Sequence, residues 1–155
     1  MSTRSGDRRC GRVLCVPVAV LVVDAANVVG SRPDGWWRDR AGATTRLLGR
    51  LAGLPGRTLT APGGGDLVCG AVVVVVEGRA RGVEEPAGLR LVRAPASGDD
   101  ALVEAAAELA AAGRAGAEEP LLVVTADRGL RARLPEGVQA TGPGWLLEQL
   151  DRSGR

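Results

Sequence analysis

Acidic residues stand where the predicted strands of this chain end. Asp24 directly follows the apolar run 16–23, and Glu77 directly follows the run 71–76. Asp127 comes two residues after Thr125, which closes the run 121–125. Asp99 and Asp100 follow the run 89–92 across a short loop ending in Ser97 and Gly98. In a parallel sheet all these positions share the carboxyl-terminal edge, where open α/β folds place their ligands. Carboxylates aimed at one crevice repel one another unless a cation neutralises them. Mg2+ or Mn2+ suits such a set: Mg2+ takes oxygen ligands, keeps several waters and needs few carboxylates. Each acid taken singly also has a plain structural reading. Asp24 fits a turn, Asp127 a cap on a helix starting at Arg128, and Asp99 an N-cap, with Ser97 and Asp100 resembling a capping box. Glu77, before Gly78, reads alone as a solvated turn residue. What these separate readings leave unexplained is an acid behind every strand at the same edge.

The residue types that are missing sharpen this reading. All 20 basic residues are Arg, with neither Lys nor His. Within this chain there is thus no Ser-His-Asp triad, no His-based zinc site, no Walker A lysine and no Schiff-base lysine. Metal chemistry falls to the carboxylates. The uniform use of Arg points to base composition as much as to nucleic-acid binding, and a net charge of +2 gives little general attraction for polyanions. Tyr and Phe are absent and only three Trp occur, so Val, Leu and Ala must build the core.

The elements that would position these acids follow from the apolar pattern. Three of the four runs are continuously hydrophobic, as in strands covered on both faces of a parallel sheet. The run 89–92 is broken by Arg90 and reads as an edge strand. Residues 36–52 carry Leu47, Leu48 and Leu51 at helical spacing, with Gly53 and Pro55 as stop signals. Residues 99–112 are Ala-rich and close at Gly113, as a helix would. A short helix after Asp127 and an amphipathic helix over 145–152 complete the series. Strands alternating with helices predict an α/β fold, doubly wound, with a mostly parallel sheet of four to five strands. The Gly-rich stretch 56–70 reads as a flexible connection.

At 155 residues the chain fits one domain over 13–152, with a disordered basic tail at 1–12 and a short tail at 153–155. The first apolar run follows Arg4, Arg8, Arg9 and Arg12 but contains Pro17, ends in Asp24 and lacks a small-x-small cleavage site. It is shorter than the roughly 20 residues that span a bilayer, so it reads as a buried strand and no membrane partner is expected. Cys10, Cys15 and Cys69 form no disulfide framework and no metal-binding pair, which suits a reducing cytoplasm.

Three stretches, in order, resemble the motifs of a known superfamily. Val22-Val23-Asp24-Ala25-Ala26-Asn27 resembles the opening motif of the NYN branch of PIN-like nucleases. Ser97-Gly98-Asp99-Asp100 resembles their central acidic motif, and Val124-Thr125-Ala126-Asp127 their late one. The set covers about residues 18–134, and the chain resembles a small single-domain bacterial member. The resemblance implies a PIN-like three-layer fold and a metal-dependent phosphodiesterase acting on RNA, less often on DNA. It implies Asp24, Asp100 and Asp127 as Mg2+ or Mn2+ ligands, with Asp99 sharing that role and Glu77 a looser match. Asn27 would hold the first acid or a metal-bound water, and Thr125 would fix the late strand end. The name NTP pyrophosphohydrolase also attaches to chains of this appearance, although the acid-helix motif of the all-α pyrophosphohydrolases is not visible here.

Around this centre Arg128, Arg131 and Arg133 are candidates for flanking phosphates. Arg32, Trp36 and Trp37 lie just beyond the Asp24 motif, where the Trp pair would either stack on bases or start the following helix. A dinucleotide-binding domain would need GxGxxG after the first strand. A haloacid-dehalogenase-like phosphatase would show Asp where Ala26 stands, and both it and a receiver domain need Lys. Two alternatives remain: a nucleotide hydrolase using the same acids, and a non-catalytic RNA-binding or regulatory domain. A closed, deep pocket favours the former, loss of a core acid the latter, and an open basic groove beside the acids a nuclease. Oligomeric state is not legible.

Overall fold

The computed structural model describes residues 16–113 and 119–154. The expected tail 1–12, with Cys10, and also Cys15 lie outside the described residues. Runs rich in Val and Leu build β1 (Val18–Asp24), most of β3 (Asp66–Val76) and β5 (Leu121–Val124). Such sequences fit strands covered on both faces. β1 lies between β3 and β5 and is parallel to both. β6 (Gln139–Thr141) continues the sheet in parallel beyond β5. The far side of β3 is divided along its length. β2 (Thr58–Thr60) runs antiparallel to its first residues, and β4 (Leu89–Arg93) runs parallel to its last.

The fold is thus α/β with a mixed, six-stranded sheet, in the order β2-β3-β1-β5-β6 with β4 beside β3. Two expectations are corrected. The stretch 56–70 is not a loose connection, because it contains β2, the turn after it and the start of β3. The strands number six rather than four or five, because β2 and β6 are three-residue segments with no apolar run to announce them. The start of β3 pairs irregularly. Its register with β1 shifts between Ala19 and Leu21. Gly70 sits at that shift, where a Cβ would come within 2.9 Å of Val18 Cγ1 and 3.0 Å of the Ala19 carbonyl oxygen.

Side-chain alternation along the strands feeds two cores. Leu21, Val23, Val72, Val74 and Val124 face one layer, formed by α1 (Ala25–Gly30), α2 (Arg40–Leu51) and α5 (Pro143–Ser153) through Val28, Leu48 and Leu150. Val20, Val22, Val73, Val75 and Val123 face the other, where α3 (Gly98–Ala111) and α4 (Arg128–Ala132) supply Leu102, Ala106 and Leu130. Val22 and Val23 are fully buried on opposite faces, each stabilising the fold by about 1.5–3 kcal/mol. Among the described residues no helix is long and apolar enough to cross a membrane.

Other boundaries moved by small steps. The helix expected over 36–52 divides into a 3-10 turn, Trp36–Arg38, and α2, because Asp39 caps the latter by accepting from Gly42 N. The final helix includes Ser153, whose hydroxyl donates to the Gln149 carbonyl, so the tail expected from 153 is helical at its start. β4 is an edge strand with Arg90 exposed, as its interrupted sequence implies.

Candidate active site

The parallel pairing sets the carboxyl ends of β1, β3, β4 and β5 along one edge. Asp24 is level with Val75 of β3, and its neighbour Val23 is level with Val124 of β5. The last residue of β1 therefore meets the residues just beyond the ends of β3 and β5, and the acids follow from this register.

Hydrogen bonds join the β1 and β5 ends. Asp24 is the N-cap of α1, its Oδ1 accepting from Asn27 N at 3.3 Å. Its Oδ2 accepts from the Thr125 hydroxyl at 3.3 Å. The same hydroxyl accepts from Asp127 N at 3.2 Å, and Thr125 is fully buried. Asn27 Oδ1 accepts from Ala126 N at 2.9 Å, fastening α1 to the loop after β5. Asp127 caps α4, accepting from Leu130 N at 3.1 Å. Asn27 thus holds Asp24 through its backbone and the late loop through its side chain, while Thr125 orients Asp24 directly. The resemblance has Asn27 holding the first acid or a metal-bound water and Thr125 fixing the late strand end. Here Asn27 reaches Asp24 through its backbone N–H, and the Thr125 hydroxyl meets both Asp24 and Asp127 N.

At the β3–β4 end the acids serve α3. Ser97 caps this helix, accepting from Asp99 N at 3.2 Å, so neither Asp99 nor a closed capping box does so. Glu77 accepts from Gly98 N and is half-buried, which corrects the reading of it as a solvated turn residue. Its carboxylate also meets the favourable end of the α3 dipole. A Cβ at Gly98 would press on the Glu77 carboxylate, which would have to shift to make room. Asp100 points outward, its Oδ1 accepting from Arg133 at 2.6 Å.

Asp24 and Asp99 each feel neighbouring carboxylates across this edge. Burial raises the Asp24 carboxyl to about 6 from its ordinary 3.8, and the charges of Glu77 and Asp99 push in the same direction. The bonds from Asn27 and Thr125 oppose the rise. Asp99 is also raised, by partial desolvation and by Asp127, Glu77 and Asp100, with Arg133 opposing. Among the described residues no three acidic or thiol side chains converge closely enough to form a ready-made metal cage. The donor chemistry nevertheless fits a hard cation: oxygen ligands only, with mutual repulsion to be relieved. Mg2+ needs one or two direct carboxylates and fills its shell with water.

The flanking cations divide. Arg131 donates to the Thr125 carbonyl from Nε at 3.0 Å and from a terminal nitrogen at 2.7 Å, so it locks the late strand end. Arg32 faces Asp151 at 3.6 Å and lines a different hollow with Arg46, Arg50 and Leu147. Arg128 is exposed beside Asp127. Trp36 lines a hollow of about 370 Å³ that also touches Ala25, Ala26, Arg40, Glu77 and Ala96. Cys69 is buried, its thiol pushed up to about 12, and takes no part at this edge.

With this geometry in place, the chain can be compared with known proteins. Its fold is similar to that of Rae1 (YacP) from Bacillus subtilis. The TM-score is 0.65 at 15% identity, covering 88% of this chain and 75% of that one. A mutant of the same protein gives a TM-score of 0.61 at 18% identity, covering 88% and 77%. At such identity the likeness is one of fold. Neither a family model nor a curated protein matches the sequence. Sequence reasoning missed the bracing role of Arg131 and the Glu77–Gly98 bond. The second had a signal in the glycine that opens α3; the first, a contact with a carbonyl, had none.

Proposed function

We propose that this chain is a divalent-metal-dependent nuclease that hydrolyses phosphodiester bonds, with RNA as its substrate. The observation that carries the proposal is the braced pair Asp24 and Asp127 at one sheet edge, with Glu77 and Asp99 close enough to raise Asp24. The ordered resemblance to PIN-like motifs supports it independently. The likeness of fold to Rae1 supports the same superfamily.

Asp24, Asp99 and Asp127 would hold Mg2+ or Mn2+, with Asp100 and Glu77 as outer acids. Bound there, the cation would acidify a water and offset charge on the leaving oxygen. The chain's own residues do the positioning. Thr125 and the Asn27 backbone fix both carboxylate oxygens of Asp24, and Arg131 stops the β5 end from shifting. Arg128 stands where a phosphate flanking the scissile one would pass.

The test is cleavage of labelled single-stranded RNA with Mn2+ or Mg2+, comparing wild type with Asp24→Asn and Asp127→Asn. Metal-dependent cleavage lost in either variant is the expected result. NTP hydrolysis in place of strand cleavage would make the chain a nucleotide hydrolase. Inactivity on RNA, DNA and nucleotides alike would leave a non-catalytic RNA-binding or regulatory domain.

A further inference from the structure

The Trp36 hollow does not end at Trp36. It shares Arg40 with a second hollow of about 450 Å³, lined by Trp37, Arg38, Asp39, Arg40, Ala41 and Arg79. Arg79 directly follows Gly78, which lines the first hollow, so the two are contiguous. One surface therefore runs from Glu77 past Trp36 to Trp37.

Two features set it apart. Trp37 is 56% exposed and stands edge-on to Trp36, with ring centres 6.1 Å apart. A single exposed apolar residue needs no explanation, but this one is ringed by cations. The Arg38 guanidinium lies 6.0 Å from the Trp37 ring centre, and that of Arg40 lies 5.1 Å from the Trp36 ring centre. Like most arginines among the described residues, Arg38, Arg40 and Arg79 make no ion pair, but these three meet at one hollow beside an exposed indole. The one carboxylate lining the second hollow, Asp39, caps α2. Three cations against one anion leave the second hollow positive beside an acidic site, and its flat apolar face is an indole.

We propose that this surface is the path of a single-stranded nucleic acid, with a base stacked on Trp37 and the backbone tracked by Arg38, Arg40 and Arg79. Every base has a π-face, so an exposed indole binds without reading sequence. Arginines with no carboxylate partner are available to phosphates, and each contact releases counterions. At its other end the path meets Glu77, where a strand would need a cation to approach. The assignment of the bound strand as substrate rests on the nuclease reading; the binding does not.

The experiment measures fluorescence anisotropy of a short labelled oligouridylate with the full chain in EDTA, over a range of salt. Trp37→Ala is expected to weaken binding about tenfold, and Trp37→Phe to retain most of it. Arg38→Gln and Arg79→Gln should each flatten the log K against log salt slope by about 0.7. Arg90→Gln, on the far edge strand, should change neither. Equal affinity for Trp37→Ala and wild type, or an equal loss in Arg90→Gln, would overturn the path. So would binding of an acidic peptide with the same dependence on Trp37. The matching deoxyoligonucleotide shows whether the path distinguishes RNA from DNA, and a duplex is expected to bind more weakly than either strand. Path-dependent binding without cleavage in Mn2+ would keep the path and refute the nuclease, and cleavage indifferent to these variants would do the reverse.

Discussion

Asp24 and Asp127 sit where β1 and β5 end, and Glu77, Asp99 and Asp100 sit where β3 and β4 end, yet the two groups are held by different means. At the first, a fully buried threonine, an asparagine and an arginine clamp two strand ends that are a hundred residues apart in sequence. At the second, the contacts join Glu77 and the loop after β4 to the start of α3, and Asp100 reaches solvent and Arg133. One half is rigid because its bonds cross the sheet edge; the other is organised around a helix terminus. Under the proposed reading the first half supplies the fixed oxygens, and the second adds Asp99 as a further ligand with Glu77 and Asp100 as outer charge.

The sharpest way to break this contrast is Asp24→Asn. Loss of a carboxylate that offsets several kcal/mol of developing charge should lower kcat about a hundredfold or more. The same change should stabilise the protein at neutral pH. Because burial raises Asp24 from 3.8 to about 6, the folded chain binds that proton more tightly than the unfolded chain does. Asp24 therefore costs no stability below pH 3.8, costs progressively more as pH rises to about 6, and costs a constant amount above it. Asn keeps the α1 cap and removes the cost. Denaturation at several pH values should show equal stability at pH 3.8 and a gain of about 1–2 kcal/mol for the variant above pH 6, allowing for solvent near a half-buried group. Addition of Mn2+ should narrow that gap by stabilising only the wild type. A variant that is less stable at pH 7 would mean that Asp24 is a structural acid.

Much of this half was legible in the sequence; of its bracing, Asn27 and Thr125 were named only through the motif resemblance, and Arg131 as a brace not at all. Runs such as Val72 to Val76 declare buried strands by themselves, and parallel strands put the acids behind them on one edge. The side chains of Asn27 and Arg131 carry no such signal, since their partners are a backbone N–H and a carbonyl that come near only once the sheet has formed. Arg131 reads from the sequence as a phosphate contact because it follows an acid. β2 and β6 were hidden for a different reason: segments of three residues are too short to show a period.

Thr125→Val keeps the shape of the clamp and deletes its hydroxyl. Asp127 N then loses its acceptor and Asp24 a donor, a loss of about 1–3 kcal/mol by thermal or urea denaturation. Cleavage should fall with it, while Thr125→Ser should preserve most of both. If the valine variant cleaves normally, the rigidity of the first half is incidental.

In the second half Gly98→Ala should be costly for the opposite reason, an added atom. The new Cβ would press on the Glu77 carboxylate, and displacing it should cost about 1–3 kcal/mol. Adding Glu77→Ala should recover part of that loss, so a double-mutant cycle should give a coupling of at least about 0.5 kcal/mol. Additive effects would separate Glu77 from the start of α3.

Arg133→Gln should do least, and it separates Asp99 from Asp100. The ion pair joins side chains that are 49% and 74% exposed, so its loss should change stability by less than about 1 kcal/mol. Arg133 also opposes the rise of the Asp99 carboxyl, so its removal should move the acid limb of the pH–rate profile upward if Asp99 must be ionised for cleavage. Asp99→Asn should then cost more activity than Asp100→Asn, because Asp99 shares charge with Asp24, Glu77 and Asp127 while Asp100 is turned to solvent. The opposite order would make Asp100, as the motif resemblance has it, the ligand. Its outward pose would then have to change on metal binding, and the second half would be the mobile member of the pair.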